Sequence, residues 1–363
     1  MDIIITDLME KCQEIGASDI HLSVGIPPTI RVNGRLVKLG DTIIKPQDTE
    51  ECVRSFLSDK QFEELAEKGE YDLSISASGK YRYRVNVFRQ RGTYAVAMRN
   101  VDSTILSPEQ LGLPLAIRDF TRKNYGIVLV TGPTGSGKST TLATLIDIIN
   151  KERDCHILTL EDPIEFLHKH DKSIVNQREI GNDTSNYLNA LRASLREDPD
   201  VILIGEMRDH ESISIALTAA ETGHLVFSTL HTIGAAKTID RIIDVFPPNQ
   251  QQQIRIQLSM TLQGVISQQL IATKEGTRRV AASEIMFSTP AIRNLIRESK
   301  TPQINNAIAT GAAQGMITMD NSLISLYKSG KITYEDMILH SVDPEYVRMN
   351  TFKSRVPTGD LNA

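Results

Sequence analysis

Apolar residues early in the chain recur at Ile5, Leu8, Met9, Cys12 and Ile15, a spacing that puts them on one helical face. The period then shortens. In SDIHLSV, Ile20, Leu22 and Val24 alternate with His21 and Ser23, as in a strand buried on one side. TIRV and RLVKL flank Asn33-Gly34, a pair that tolerates the positive φ angles of a two-residue hairpin turn. Acidic helices are expected over Pro46 to Lys68, followed by strands at YDLSIS, YRYRVNVF and TYAVAMR, broken at Ser78-Gly79 and Arg91-Gly92. This mixture predicts a small α+β domain over residues 1–100, then a linker over 101–114 that carries Pro108 and Pro114.

From Tyr125 the pattern changes. GIVLVT, CHILTL, VILIGE and LVFSTL are short apolar runs separated by helix-length segments, the grammar of a parallel sheet buried on both faces. After Pro247-Pro248 the chain is expected to turn mainly helical, beginning with a Gln-rich amphipathic stretch, with RRVAASEIM as one further strand. The expected organisation is completed by an α/β domain over 115–345 that ends in helices, and by a frayed polar tail over 346–363.

Composition narrows the class without giving a function. The 363 residues are 40% hydrophobic and 23% charged, lack tryptophan and carry a net charge of −5, ordinary for a globular chain with two cores. The acidic balance argues against a surface devoted to nucleic acid. Cys12, Cys52 and Cys155 are scattered and odd in number, which fits neither a disulfide framework nor a zinc site and suits a reducing cytosol. No window reaches the roughly 20 apolar residues of a membrane span. The apolar run Ile3 to Ile5 is too short for a signal peptide.

The chemistry is concentrated in the second half. GPTGSGKST runs through Gly132, Pro133, Thr134, Gly135, Ser136, Gly137, Lys138, Ser139 and Thr140. It follows the strand GIVLVT and opens a helix whose Leu142, Leu145, Ile146 and Ile149 share a face, so the P-loop pattern stands in its required strand–loop–helix context. Gly135 and Gly137 let backbone N–H groups wrap phosphates, and the helix N-terminus adds partial positive charge. Lys138 is placed to reach the β- and γ-phosphates of ATP, and Ser139 to ligate Mg²⁺. Hydrolysis also needs a group to orient water. Glu206 is the expected base, just past the end of the strand VILI, which is expected beside the P-loop strand. Gly205 stands where many nucleotide-binding strands carry an aspartate. Glu161-Asp162 follows another buried strand and brings acid to the same edge. His224 and His231 flank LVFSTL; His231, at its C-terminal end, is placed to sense the γ-phosphate, and His224, at the other end, to serve structure or a subunit contact.

GPTGSGKSTT, LEDPIEF, REDPDVILIGEMRD and ETGHLVFSTLHT resemble, in order and spacing, the boxes of the bacterial type II/IV secretion and pilus ATPase superfamily. SDIHL, VNQREIG, DVFPP and AIRNLIRE extend the resemblance from Asp7 to about Pro344, and AIRNLIRE points to the branch that powers type IV pilus retraction. The resemblance implies a PAS-like N-terminal domain and a RecA-like P-loop ATPase domain with a helical C-terminal portion. It makes Glu206 the catalytic glutamate, with Gly205 in the position of the missing aspartate. Mg²⁺ then rests on Ser139, phosphates and waters, with Glu161 or Glu206 acting through water. It also assigns nucleotide-facing arginines to Arg84 and Arg99, whereas Arg89 and Arg91 read better as a solvated sheet face. The partners implied are further copies of the chain in a homohexamer, a polytopic pilus platform protein of the inner membrane, and an accessory retraction ATPase. The location implied is cytoplasmic, peripheral at the membrane.

Four other readings compete. An assembly or secretion ATPase of the same superfamily would carry a four-cysteine element after the histidine box, whereas no cysteine follows Cys155. An accessory retraction ATPase would lack AIRNLIRE. A nucleic-acid translocase using the arginine-rich strand as its track would bind in a salt-sensitive manner, against the charge of the chain. A non-enzymatic scaffold would not need both acidic boxes.

Overall fold

The computed structural model describes residues 5–77, 81–101, 104–207 and 209–352. The expected Ser78-Gly79 turn, and the tail beyond Phe352, lie outside the described residues. The chain divides into two compact units. One holds the sequence up to Thr104 together with Pro163–Leu167; the other holds Ile105–Asp162 and the chain from His168 onward.

The first unit is a six-stranded antiparallel sheet in the order β3-β2-β1-β6-β5-β4. Its strands are β1 (Asp19–Leu22), β2 (Thr29–Val32), β3 (Arg35–Lys38), β4 (Glu70–Ala77), β5 (Tyr81–Gln90) and β6 (Thr93–Val101). Two hairpins turn on left-handed pairs: Asn33 and Gly34 have φ 49° and 80°, Arg91 and Gly92 have φ 49° and 79°. Ile20, Ile30, Tyr83, Val85, Val87 and Met98 cluster on one face with Met9 and Cys12 of the helix Ile5–Ile15, and with Val53 and Leu65 of the helices Pro46–Phe56 and Asp59–Lys68. Tyr83 reaches through this core to donate its hydroxyl to the Met9 carbonyl at 3.0 Å. Arg82, Arg84 and Arg99 fall out of phase with this set, on the other face of the sheet.

The second unit is a seven-stranded sheet in the order β13-β12-β7-β11-β10-β8-β9. The strands are β7 (Gly126–Thr131), β8 (His156–Glu161), β9 (Ile174–Glu179), β10 (Val201–Ile204), β11 (Leu225–Leu230), β12 (Leu262–Ala272) and β13 (Arg279–Phe287). All neighbours are parallel except β12 and β13. Buried side chains line both faces of the sheet, as its apolar strands require. No helix among the described residues is long and apolar enough to cross a membrane.

Several expectations are corrected here. The chain after Pro247 is mostly helical, as expected, but LQGVISQQLIA forms an unexpected strand, β12, the parallel neighbour of the P-loop strand. IVNQRE forms an unexpected edge strand, β9. The strand ending before Glu206 is not beside β7, since β11 lies between them. Part of the expected linker is the helix Pro108–Leu111, started by a Ser107 capping box and packed within the second unit. The chain also stays helical over Pro344–Phe352, inside the stretch expected to fray, where Val347 is fully buried.

Candidate active site

β7 is buried along its length and delivers the chain to Gly132. Gly132 adopts φ 144°, and a β-carbon there would lie 2.2 Å from the Gln268 carbonyl oxygen and 2.6 Å from Ser136 Oγ. Only glycine fits. Gly135 and Gly137 take φ 77° and 86°, turning the chain into the helix Lys138–Glu152 with Gly137 as its N-cap. The helix is anchored by Leu142, Leu145, Ile146 and Ile149, all buried, so its N-terminus is held rigidly against the sheet. Lys138 Nζ donates to the carbonyl oxygens of Gly132 and Pro133, each at 3.0 Å, drawing the ammonium across the loop. Ser139 is exposed on the first turn.

Two further strand ends on the same edge of the sheet, β10 and β8, supply the acids. Gly205 N donates to the Leu160 carbonyl at 2.8 Å, carrying the β8–β10 ladder one step past β10. β11 then brackets Glu206: Thr229 Oγ1 donates to the Gly205 carbonyl at 2.6 Å, and Met207 N donates to the Thr229 carbonyl at 3.3 Å. Glu206 Oε2 lies 3.3 Å from Nε2 of His231, which follows the C-terminal end of β11. Because β11 intervenes between β7 and β10, it is this histidine that meets the glutamate. Gly132 N donates to the Leu230 carbonyl at 3.3 Å, so the start of the P-loop and His231 occupy neighbouring strand ends.

Glu161 closes β8 on the same edge. Its Oε1 accepts from Thr159 Oγ1 at 2.6 Å and from Gln177 Nε2 at 3.1 Å. His224, at the far end of β11, turns its Nδ1 to the Ala219 carbonyl at 2.9 Å and stays away from the loop. Gly205 has a local cause, because a β-carbon at this position would lie 2.8 Å from the Tyr187 hydroxyl.

Arg84 and Arg99 belong to the first unit, directly opposite each other on β5 and β6. Arg99 Nε donates to Asp19 Oδ1 at 3.0 Å, and Arg31 approaches the same carboxylate at 3.5 Å. Burial works to raise the Asp19 pKa. Hydrogen bonds from Ser18 and Arg99, with the charges of Arg99 and Arg31, outweigh it and hold the carboxyl below its ordinary range. Arg84 is exposed, while Arg82 is buried and donates from Nε to the Ile164 carbonyl at 2.7 Å. Arg89 and Arg91 are exposed, with Arg89 6.0 Å from the centre of the Tyr94 ring.

The edge therefore brings the P-loop, Glu206, His231 and Glu161 together in one unit and leaves Arg84 and Arg99 in the other. Thr229, which bonds the Gly205 carbonyl, and Tyr187 and Gln268, which crowd Gly205 and Gly132, carry no sequence signal beyond their polarity. The donor set suits Mg²⁺, since Ser139, Glu161 and Glu206 offer only oxygen to a hard cation. The glycine cradle suits a phosphate chain.

The family model described as type II/IV secretion system protein matches residues 2–333. A type IV pilus retractation ATPase, PilT, of Pseudomonas aeruginosa is 50% identical over 332 residues, spanning 92% of this chain and 96% of that protein. A twitching motility protein of Neisseria gonorrhoeae is 50% identical over 308 residues, 85% of this chain and 82% of that one. The crystal structure of the pilus retraction motor PilT with bound ADP superposes with a TM-score of 0.89 at 47% identity, covering 96% of this chain and 99% of the other. With a P-loop after an interior strand of the sheet, a glutamate and a histidine meeting on the same edge, and relatives aligned over most of their lengths, this chain belongs to the type II/IV secretion system protein family.

Proposed function

We propose that the chain is an ATPase motor that hydrolyses ATP to power type IV pilus retraction, the disassembly of the fibre that underlies twitching motility. The observation that carries the ATPase reading is the meeting of Glu206 and His231, 3.3 Å apart, on the edge where the P-loop begins. Backbone N–H groups of residues 135–140 and the Lys138 ammonium bind and orient the phosphates. Glu206 takes the proton of the attacking water, and His231 Nε2 holds the carboxylate toward the loop and reads the γ-phosphate end of the site. Mg²⁺, held from Ser139 with Glu161 or Glu206 reaching it through water, would neutralise phosphate charge. Arg84 and Arg99 supply positive charge to a transition state, on a P-loop of their own chain or of a neighbouring one.

The retraction branch is favoured by the relatives' activities and by AIRNLIRE. Pro290–Arg297 forms a helix that buries Ile292 and Ile296. We further propose a homohexamer, with nucleotide at subunit boundaries, docked at the cytoplasmic face of the inner membrane on a polytopic platform protein, with an accessory retraction ATPase as a further partner and no nucleic acid. Deleting the gene should leave cells piliated but unable to twitch. Cells without pili would instead establish the assembly reading.

A further inference from the structure

β12 buries three consecutive polar residues, Ser267, Gln268 and Gln269. Gln268 is 2% exposed and uses both ends of its amide. Its Oε1 accepts from Thr141 Oγ1 at 2.8 Å, and its Nε2 donates to the Ser136 carbonyl at 2.7 Å. A carbonyl oxygen can only accept, so the amide nitrogen must be the end that faces Ser136. The same residue borders the loop at two further points. Its carbonyl oxygen closes on Gly132, and its Nε2 would lie 3.0 Å from a β-carbon at Gly137. Between the two side-chain anchors lie Gly137, Lys138, Ser139 and Thr140, the stretch assigned above to the phosphates and Mg²⁺. Thr141 is 1% exposed, so water cannot replace the bond it would lose.

We propose that Gln268 is a positioning residue for nucleotide: from β12 its amide fixes the Ser136 carbonyl relative to the first helical turn and so aims the intervening N–H groups at the phosphates. The inference rests on the P-loop reading of Gly132–Thr140. Glutamine suits the task because it presents a donor and an acceptor on one planar group of the right length. Glutamate would set a carboxylate oxygen against the Ser136 carbonyl, and leucine, of similar size, would leave both partners buried and unpaired. These contacts form with bound nucleotide and persist in the transition state, so their loss weakens binding more than turnover.

The test compares Gln268→Leu, Thr141→Val, Thr141→Ser, the Leu/Val double variant and Lys138→Ala in the full-length chain. It measures steady-state ATP hydrolysis, the Kd of a fluorescent ADP analogue and a melting curve for each. Gln268→Leu should raise KM and Kd about tenfold or more, with kcat within about threefold, the scale on which misplaced contacts act. Thr141→Val should raise both by a smaller factor, and Thr141→Ser, which keeps the hydroxyl, should recover most of that loss. The double variant should be no worse than Gln268→Leu alone, because the Thr141 hydroxyl then has no partner to lose. A folded Gln268→Leu protein whose KM and Kd stay within about twofold of wild type, with only its melting temperature lowered, overturns the proposal. If that variant does not fold, an unchanged Kd in Thr141→Val overturns it instead. Lys138→Ala separates the two layers. Nucleotide binding as tight as wild type there would sink the P-loop reading and this inference with it. Binding lost there but kept in Gln268→Leu would sink the positioning role alone.

Discussion

At the scale of single residues, small and polar side chains set the chemistry. Glycine at 205 leaves room for the Tyr187 hydroxyl, 2.8 Å from where a β-carbon would sit. The hydroxyl is the far end of a half-buried side chain that can shift, so Gly205→Ala should lower stability by only about 1 kcal/mol, the low end of overpacking costs. Adding Tyr187→Phe should recover part of that loss in a melting experiment; no recovery would mean that backbone rather than the hydroxyl sets the limit. The missing aspartate also leaves Glu206 as the acid at the end of β10. Glu206→Gln should keep ATP binding and slow turnover at least about a hundredfold, because it removes the base and little else. Hydrolysis near the wild-type rate would transfer the role to Glu161, the next carboxylate on the edge.

Among the elements, the apolar strands β7, β8, β10 and β11 are legible in the sequence because each fills its burial with a run of Val, Ile and Leu. β12 is not. Its buried Ser267, Gln268 and Gln269 break the apolar pattern, and each is compensated by a partner distant in sequence. Gly234 N donates to Ser267 Oγ at 2.8 Å, Gln268 spans the P-loop, and Gln269 Oε1 lies 3.0 Å from His340 Nδ1. Periodicity cannot report such pairings, since the partners come from three other segments. The same limit applies to the order of strands: the P-loop and the Glu206 box are each readable alone, but nothing in either says that β11 separates them. Opposite Ser267 on β13 stands Glu284, buried, with Oε1 accepting from Ala235 N at 2.8 Å. Burial pushes its pKa above the usual carboxylate range, against the backbone hydrogen bonds from Ala235 and Met319, and the nearby Asp320 adds to the rise. The folded state thus holds this proton more tightly than the unfolded chain. That contribution to stability is complete below the usual carboxylate range and is lost as pH rises through the raised folded value. Asp320, itself raised by burial, acts with the same sign. Glu284→Gln keeps an acceptor for Ala235 and cannot ionise. Its melting temperature should gain on that of wild type as pH rises through this window. Parallel curves would show that Glu284 has the same pKa in the folded and unfolded chain, so that burial does not raise it.

For the whole molecule, the decisive question is what the N-terminal unit contributes to hydrolysis. Its sheet presents Arg84 and Arg99 side by side, a like-charge pair that would be unfavourable alone and is offset by Asp19. The Arg99 side chain is 76% exposed, so its ion pair adds little to stability, on the order of 1 kcal/mol or less. A solvated arginine of this kind, cut back to alanine, would leave turnover untouched. If instead the pair delivers charge to nucleotide, as the family resemblance implies, Arg99→Ala should lower ATP turnover by about 10³-fold. Arg84→Ala should fall in the same direction, and neither should shift the melting temperature appreciably. A second comparison makes the result specific. Asp19→Asn releases Arg99 from its tether without removing the guanidinium, so it should change turnover far less than Arg99→Ala does. Steady-state assays on the three variants, with melting curves, decide between the two roles. Unchanged turnover in both arginine variants would reduce the N-terminal unit to a scaffold and place the transition-state charge within the P-loop unit itself.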